Sequence, residues 1–447
     1  MKMRIAAGAI ILGMCAQPAV AGGFAIREQS AVFQGTAYAG NAAGGAISSM
    51  FWNPAAIALY NTGVNFEAVV AGKFDHSEIV ALPGSTLAFL GASSGENGHS
   101  TVLSSGYATW ALRPDLVLGL GINETYGFKN GTEPNGAASG RLWAGMTQTS
   151  RNEMKTRNYN PTVSYQVTPQ FSIGAGLQVE YMALDHRQAT GITATSVNMV
   201  QRGDGMAYGF TLGALWQPVA GTSIGLGYRS RITHNLLGDV NFETPPPALP
   251  IQDVGKAGIT MRLTTPDIVT LSLRQRITDQ FRIMGTVEWA RWSNFETLRA
   301  VCTTGSNIVN LLGCPGTGAV QFTFPLSYQD GWYVSGGAEY DVTRELTLRA
   351  GLAWERSPIR SPADRLAWLP LDADTTWVSA GLSWQFMPQA KLDLAYSHGF
   401  IGDGQIDRTQ SGIRLIADTS AHTDIVSLSL RVKLGPDPAP PAKLITK

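Results

Sequence analysis

Apolar and polar residues alternate along most of this chain. Val426, Leu428, Leu430, Val432 and Leu434 alternate with Ser427, Ser429, Arg431 and Lys433. A period of two gives a strand with one apolar and one polar face. Phe171 to Tyr181 and Leu346 to Glu355 repeat the pattern, as do Tyr208 to Trp216 and Val378 to Phe386. About fourteen such segments lie between residues 62 and 434, an even number of the kind bacterial outer-membrane barrels use.

Alternation alone also fits a soluble sandwich, so the connections matter. Tight turns at Pro114-Asp115, Thr168-Pro169, Pro218 to Gly221, Thr278-Asp279, Val342 to Arg344 and Pro388-Gln389 join strands in pairs. Between pairs the pattern predicts long segments at 75–100, 128–155, 188–204, 236–266, 300–327, 357–373 and 401–421. Short turns alternating with long loops match a transmembrane barrel, turns toward the periplasm and loops outside. A sandwich has no reason to gather its long loops at one end. In lipid every backbone N–H and C=O must be paired within the protein, and a closed barrel does this without edges. The apolar faces then meet lipid. Arg229, Arg274, Glu288, Glu339, Arg349, Glu355, Asp393 and Arg431 fall on the other face and point to the lumen, where pairing with each other is their expected role. Trp216, Trp289, Trp354 and Trp384 lie near strand ends, as interfacial girdle residues should.

The first residues, MKMRIAAGAIILGMCAQPAVAGG, carry Lys2 and Arg4 before an apolar run too short to span a bilayer. Ala19-Val20-Ala21 is a small-x-small cleavage site, so residues 1–21 read as a signal peptide. A lipid anchor on Cys15 is the rival reading, disfavoured by the bulky Met14 before it. Export to an oxidising compartment predicts a disulfide between Cys302 and Cys314, with two free thiols as the alternative. With no His near them, no metal site is expected there. No later segment has the long uninterrupted apolar run of a transmembrane helix.

Composition fits this picture. Lys+Arg and Asp+Glu are 33 each, charged residues are 15% of the chain, and Gly is 50 of 447. An ordinary soluble domain has about 25% charged residues and about 7% Gly. Zero net charge argues against a nucleic-acid partner. Mean hydropathy is +0.00, the average of two faces that cancel.

Residues 22–61 do not alternate. They are rich in Ala, Gly and Ser, with helical hints around Ser30 to Gly40. Phe24, Phe33, Tyr38, Phe51 and Trp52 need a place to pack, and the barrel interior offers one; a flexible periplasmic extension is the alternative. The run Gly23-Phe24 … Glu28 … Gly35-Thr36-Ala37-Tyr38-Ala39-Gly40, followed by Trp52-Asn53-Pro54-Ala55, resembles the N-terminal hatch of FadL-type long-chain fatty acid transporters. Asn160 to Tyr165, Thr265-Pro266-Asp267, the run WARWSNF at Trp289 to Phe295, and Ser357-Pro358 … Arg365 … Trp377 … Gly381 extend the resemblance over nearly the whole exported chain.

The resemblance implies an all-β fold: a transmembrane antiparallel β-barrel of about fourteen strands, with an N-terminal hatch inside the lumen. The organisation would be 1–21 signal peptide, 22–61 hatch, 62–434 barrel and 435–447 Pro-rich tail. Hydrophobic substrates would be captured at outer loops, held near the hatch N-terminus, and released through a side opening at a kink in the third strand. Phe24 matches the family's ligand-contacting hatch residue. Asn53, Pro54 and Ala55 match the hatch motif next to the side opening. Gly119 and Gly121 are the candidates for the strand kink. Leu142, Trp143 and Met146 are the candidate outer capture loop; pinning that loop to the rim is the alternative. The family's carboxylate-binding basic residues do not align securely here; Arg187 lies near one such position but out of register by about a residue.

Hence the expected function is passive uptake of long-chain fatty acids or similar hydrophobic molecules across the outer membrane of a Gram-negative bacterium. Uptake of aromatic or alkane hydrocarbons is the alternative, and a structural or adhesive barrel the alternative from another class. An enzyme is not expected: the six His are scattered and no G-x-S-x-G elbow is present. No cofactor is expected. The expected partners are hydrophobic small molecules, outer-membrane lipid and lipopolysaccharide, with the protein a monomer.

Overall fold

The computed structural model describes residues 23–131, 142–148, 151–189, 198–243, 256–295, 297–304, 314–367, 373–410 and 412–435. The expected signal peptide and residues 436–447 of the expected tail lie outside these residues. So do 368–372, within the stretch from Ser357 to Gly381 that carries part of the resemblance.

Nineteen hydrogen-bonded runs form one sheet, and five strands are each built from two runs, so the barrel has fourteen strands. They are β1 Val64–Ala81, β2 Ser100–Arg113, β3 Leu116–Asn123 with Gly127–Asn130, β4 Arg151–Thr168, β5 Phe171–Ala189, β6 Asn198–Trp216 and β7 Thr222–Arg229 with Thr233–Glu243. Then come β8 Ala257–Thr264 with Ile268–Arg276, β9 Phe281–Ala290 with Thr297–Cys302, and β10 Val320–Pro325 with Gly331–Asp341. The last four are β11 Leu346–Arg356, β12 Thr375–Met387, β13 Ala390–Gln410 and β14 Ile413–Leu434. All pairings are antiparallel. β1 pairs with β14 from Val64↔Leu434 to Ala81↔Ala417, which closes the ring.

The wall is inside out relative to a soluble protein. Val426, Leu428 and Leu430 are 44%, 48% and 42% exposed, whereas Ser427 and Ser429 are buried. That ordering is stable only where the solvent outside is apolar. Exposed Trp110, Tyr165, Trp216, Tyr340 and Trp384 ring the short-turn end. Phe74, Tyr159, Tyr181, Tyr208, Trp332 and Phe400 form a second exposed ring. Along single strands the two rings are six to eight residues apart, as from Tyr159 to Tyr165, Tyr208 to Trp216 and Trp332 to Tyr340, and they bound the apolar outward band. Trp289 and Trp354 are only half-buried, and Trp289 donates to Asp330 at 3.1 Å.

Beyond the second ring the strands continue. Residues 401–421, expected as a loop, are instead the tip of a long hairpin, with β13 and β14 paired from Ile401↔Ala421 to Gln410↔Ile413. The outward face meets water there instead of lipid and carries polar residues, while Ile406, Leu415 and Ala417 of the other face are buried against Trp143 and Met146, so the apolar outward row that identifies strands within the hydrocarbon is lost. Cys302 and Cys314 are joined by a disulfide on the same side of the molecule, their Cα atoms 5.7 Å apart.

Residues 23–60 lie within the ring of strands. One helical turn, Ala31–Gln34, and short 3-10 turns at Asn41–Ala43, Ile47–Phe51 and Pro54–Leu59 fold this segment. It meets inner-wall groups on many strands: Gln34 donates to Ile425 O at 3.0 Å, Tyr333 to Ala37 O at 2.9 Å and Arg229 to Phe51 O at 2.9 Å. Glycines on the inner wall permit this closeness. A Cβ on Gly227 would sit 1.8 Å from Trp52 O, and one on Gly351 2.1 Å from Thr36 C. Seven of the eight predicted lumen charges form ion pairs, while Arg229 bonds Gln178 and Phe51 O. Glu339 binds Arg282 at 2.9 Å and Arg349 at 2.8 Å and also contacts Arg274, while Asp393 binds Arg431 at 2.6 Å.

Candidate lateral passage beside the N-terminal segment

The third strand breaks at Glu124 to Tyr126. Below the break it is flanked on both sides, by β2 from Gly106↔Ile122 and by β4 from Asn123↔Asn158. Above the break its upper run pairs with β4 alone, Gly127↔Lys155 to Asn130↔Asn152. Residues Ser100 to Ser105 of β2 pair with β1 and have no partner in β3. The wall is therefore open between β2 and β3, bounded above by a bridge between Gly98 and Asn130.

The freed backbone groups find other partners, as burial demands. Thr156 Oγ1 accepts from Thr125 N at 3.1 Å and Tyr126 N at 2.9 Å, and donates to Tyr126 O at 2.7 Å. The N-terminal segment takes the rest. Ile26 N donates to Thr125 O at 2.9 Å, and Gly127 N to Phe24 O at 3.0 Å. Gln29 adds a donation to Glu124 O. Behind them Glu180, fully buried, receives Asn158 at 3.0 Å, meets His234 Nε2 at 3.1 Å and contacts the Thr125 hydroxyl. One β4 side chain and the first residues of the segment thus stand in for a missing strand partner.

The break lies downstream of Gly119 and Gly121. Both glycines sit in regular pairing, opposite Thr109 and Tyr107 on one side and Thr162 and Asn160 on the other. The expected kink is thereby moved. Gly119 instead leaves room for Met50 and Ile57, whose side-chain ends would be 2.7 and 2.8 Å from a Cβ. The strand bends where side-chain and segment bonds replace the ladder, and no glycine is needed there.

Phe24 is buried in a cage of rings. Its centroid lies 4.8 Å from Trp292, 5.2 Å from Phe295, 5.9 Å from Phe128 and 6.0 Å from Tyr126, all edge-on. Edge-to-face rings at these separations attract beyond their area burial. Trp292 and Phe295 turn inward at the interruption of β9, the WARWSNF run. Next along the segment, Arg27 binds Glu288 at 2.6 Å and Glu355 at 2.8 Å, with its guanidinium 3.9 Å from the Tyr333 ring centroid.

A cavity of about 490 Å³ runs from Gly23, Phe24 and Ile26 past Leu103 and Thr156 to Val102, Arg157 and Tyr181. Its inner lining includes Lys73 and Trp377. Val102, Arg157 and Tyr181 are on the outward face of their strands, so the cavity passes through the wall at the break. Its volume is that of an ordinary small-molecule site.

The other sequence-predicted residues lie elsewhere. Asn53, Pro54 and Ala55 lie against β4 to β7, nearer the short-turn end than the break is. Asn53 Oδ1 accepts from Ala55 N at 3.0 Å and caps the 3-10 turn, with Pro54 at its first position. Its Nδ2 donates to Ala42 O at 2.8 Å and to Ala214 O of β6 at 2.9 Å. Ser164 of β4 donates to Ala55 O at 3.1 Å. The triplet ties the segment to itself and to the wall. Trp143 and Met146 are fully buried among Ile79, Leu87, Ile406 and Leu415, and Leu142 packs against them. These side chains are spent on holding their loop to the rim of β1, β13 and β14, the alternative to an open capture surface. Arg187 pairs with Asp185 at 2.9 Å.

The sequence profile described as outer membrane protein transport protein (OMPP1/FadL/TodX) matches residues 12–434. This chain belongs to that family. Outer membrane protein P1 of Haemophilus influenzae is 26% identical over 429 residues, covering 86% of this chain and 87% of the relative. The long-chain fatty acid transport protein of Escherichia coli is 24% identical over 315 residues, covering 63% and 66%. Among solved structures, a Pseudomonas aeruginosa FadL homologue superposes with a TM-score of 0.78 at 21% identity, over 92% of this chain and 99% of the other. The Ralstonia pickettii toluene transporter TbuX gives 0.64 at 15% identity, over 91% and 99%. The fold, the outer-membrane location and membership of a transport family are thus shared with these FadL-type relatives.

Proposed function

We propose that the protein carries long-chain fatty acids or similar hydrophobic molecules passively through the outer membrane, and that residues 22–61 act as its hatch. The observation that carries this reading is the cavity joining the Phe24 cage to the break in the wall. An apolar ligand held beside Phe24 gains roughly 25 cal/mol per Å² of surface removed from water. It then needs no route through the polar, ion-paired lower lumen, because the opening at Glu124 to Tyr126 leads sideways into lipid. Movement of residues 23–29 controls that route, since they are the partners of the broken strand.

The E. coli relative is a long-chain fatty acid transport protein and the R. pickettii one a toluene transporter. Both substrate classes therefore bear on this chain. Lys73 and Arg157 on the cavity wall favour a ligand with a carboxylate. The uncharged ring cage around Phe24 favours aromatic hydrocarbons, the second reading. No catalysis is involved. A ring closed by one chain makes a monomer sufficient, and the aromatic belts sit in outer-membrane lipid, with lipopolysaccharide at the upper one. The test is paired uptake of oleate and toluene in a strain lacking the protein and in the complemented strain. Loss of oleate uptake supports the first reading and loss of toluene uptake alone the second; loss of neither overturns both.

A further inference from the structure

The opening in the wall is spanned by one side chain. Arg157 projects from the outward face of β4, two residues above Tyr159 of the outer aromatic ring. Its guanidinium pairs with Glu124, the first residue of the break, at 3.1 Å. It also reaches across to β2, where Nη1 lies 3.4 Å from both the carbonyl oxygen and the hydroxyl of Ser104. Ser104 belongs to the stretch of β2 that lacks a β3 partner. The same side chain therefore touches both edges of the gap and lines the cavity that passes through it. Lys155, the next outward residue up β4, lines it too and is paired with Glu153 at 2.8 Å. Lys73 on the inner side is paired with Asp75 at 3.7 Å.

The two halves of this bridge differ in strength. The bond to Glu124 is charge-assisted. Those to Ser104 share the guanidinium charge but are long, at 3.4 Å, and have neutral acceptors, so they lack the opposite charge that strengthens the Glu124 pair. Arginine offers five donors in a fixed fork, so it can keep Glu124 and still take a second carboxylate. A carboxylate arriving through the cavity outcompetes Ser104 for the free donors. A neutral hydrocarbon has nothing to offer them. The position suits the task, because a guanidinium at the level of the aromatic ring keeps its charge at the membrane interface.

Resting on the uptake function proposed above, we propose that Arg157 is a specificity-determining latch of the side opening. It ties the two edges of the gap together through Ser104, which keeps the passage narrow, and lets them part when a ligand carboxylate takes the place of Ser104. The ligand class favoured is the long-chain carboxylate over the neutral hydrocarbon.

Two measurements on the full-length protein test this, with folding verified by the heat-dependent gel shift of a barrel. The first does not depend on transport. Leu103 lines the cavity beside the gap and is buried. In a Leu103→Cys protein, labelling by a lipid-soluble maleimide in proteoliposomes reports opening. Arg157→Ala should speed labelling several-fold, and oleate should speed it in the Arg157 protein while hexadecane does not. Equal labelling in all conditions overturns the latch. The second is the ratio of oleate to toluene uptake. Arg157→Ala should lower it several-fold, chiefly by raising toluene uptake, with Arg157→Lys between. An unchanged ratio in a protein that takes up either compound also overturns the latch. If the unsubstituted protein takes up neither, the uptake reading falls, and the labelling result decides the latch by itself.

Discussion

Two sides of this barrel treat the chain inside them differently. On the side of β8 to β14, the lower lumen is a lattice of ion pairs. Glu339 serves three arginines, Asp393 serves Arg431, and the lower run of β10 pairs with β11, and β11 with β12, in unbroken register alongside. Residues 34–45 lie against this lattice with their backbone bonded to wall side chains, as in Gly40 N to Thr286 at 2.9 Å and Ala42 N to Ser272 at 3.1 Å. On the side of β2 to β4, the wall lacks part of its own ladder and residues 24–29 supply it. The first arrangement fixes the segment to a wall that is complete without it. In the second the wall and the segment complete each other, so a shift in one must open the other. A pore that stays sealed yet opens sideways needs both.

The comparison can be broken at several points. Deleting residues 23–60 should have the largest effect, because it removes the plug and the surrogate strand together. Single-channel conductance in planar bilayers should rise from near closed to that of an open barrel, and an unchanged conductance would refute a plugged lumen. Gly351→Ala acts on the fixed side alone. Its Cβ would overlap the backbone of Thr36 and Ala37, 2.1 and 2.6 Å away, which cannot swing aside like a side-chain tip. Conductance should rise partway, with the barrel intact by gel shift.

Glu339→Gln tests the lattice. It leaves Arg274, Arg282 and Arg349 without their shared carboxylate, and breaking a buried pair costs about 3–5 kcal/mol. The temperature of the gel-shift transition should fall while the side opening is unaffected. Thr156→Val should have the smallest effect on stability and a selective one on transport. It keeps the shape of the side chain and strips the partner from two backbone N–H groups, a loss of about 1–3 kcal/mol. Oleate uptake should change, and the gel-shift transition should move less than for Glu339→Gln. The opposite ranking would mean that the break is a passive irregularity rather than the working joint.

The amino-acid pattern was readable where the solvent on the two faces of a strand differs. Alternation gave the strands within the hydrocarbon, and the turns gave their pairing. The pairing of Arg349 was readable because Glu339 lies opposite it on the polar face of the next strand, whereas Glu355 and Glu288 pair with Arg27 of the N-terminal segment, which no strand pattern shows. The pattern failed where that difference ends. Residues 401–410 and 413–421 are strand without an apolar outward row, because their outward face meets water rather than lipid and their few apolar residues, Ile406, Leu415 and Ala417, pack against Trp143 and Met146. The kink failed for another reason. Glycine is a local signal, whereas the break at Glu124 to Tyr126 depends on a hydroxyl thirty residues away and on a segment a hundred residues upstream. Trp143 and Met146 have a spacing that reads as an exposed helical stripe. Only the approach of β13 and β14 shows that they are buried.

What the sequence determined by itself is the period: one face for lipid, one for the lumen, and hence closure, number of strands and compartment. These are decided residue by residue against two solvents. The tertiary structure alone decided where the wall opens and which residues hold it. Phe24 meets Trp292 and Phe295, and Arg157 meets Ser104, only when distant stretches are brought side by side. A gap in a ladder is a property of the pairing, so no single strand carries it.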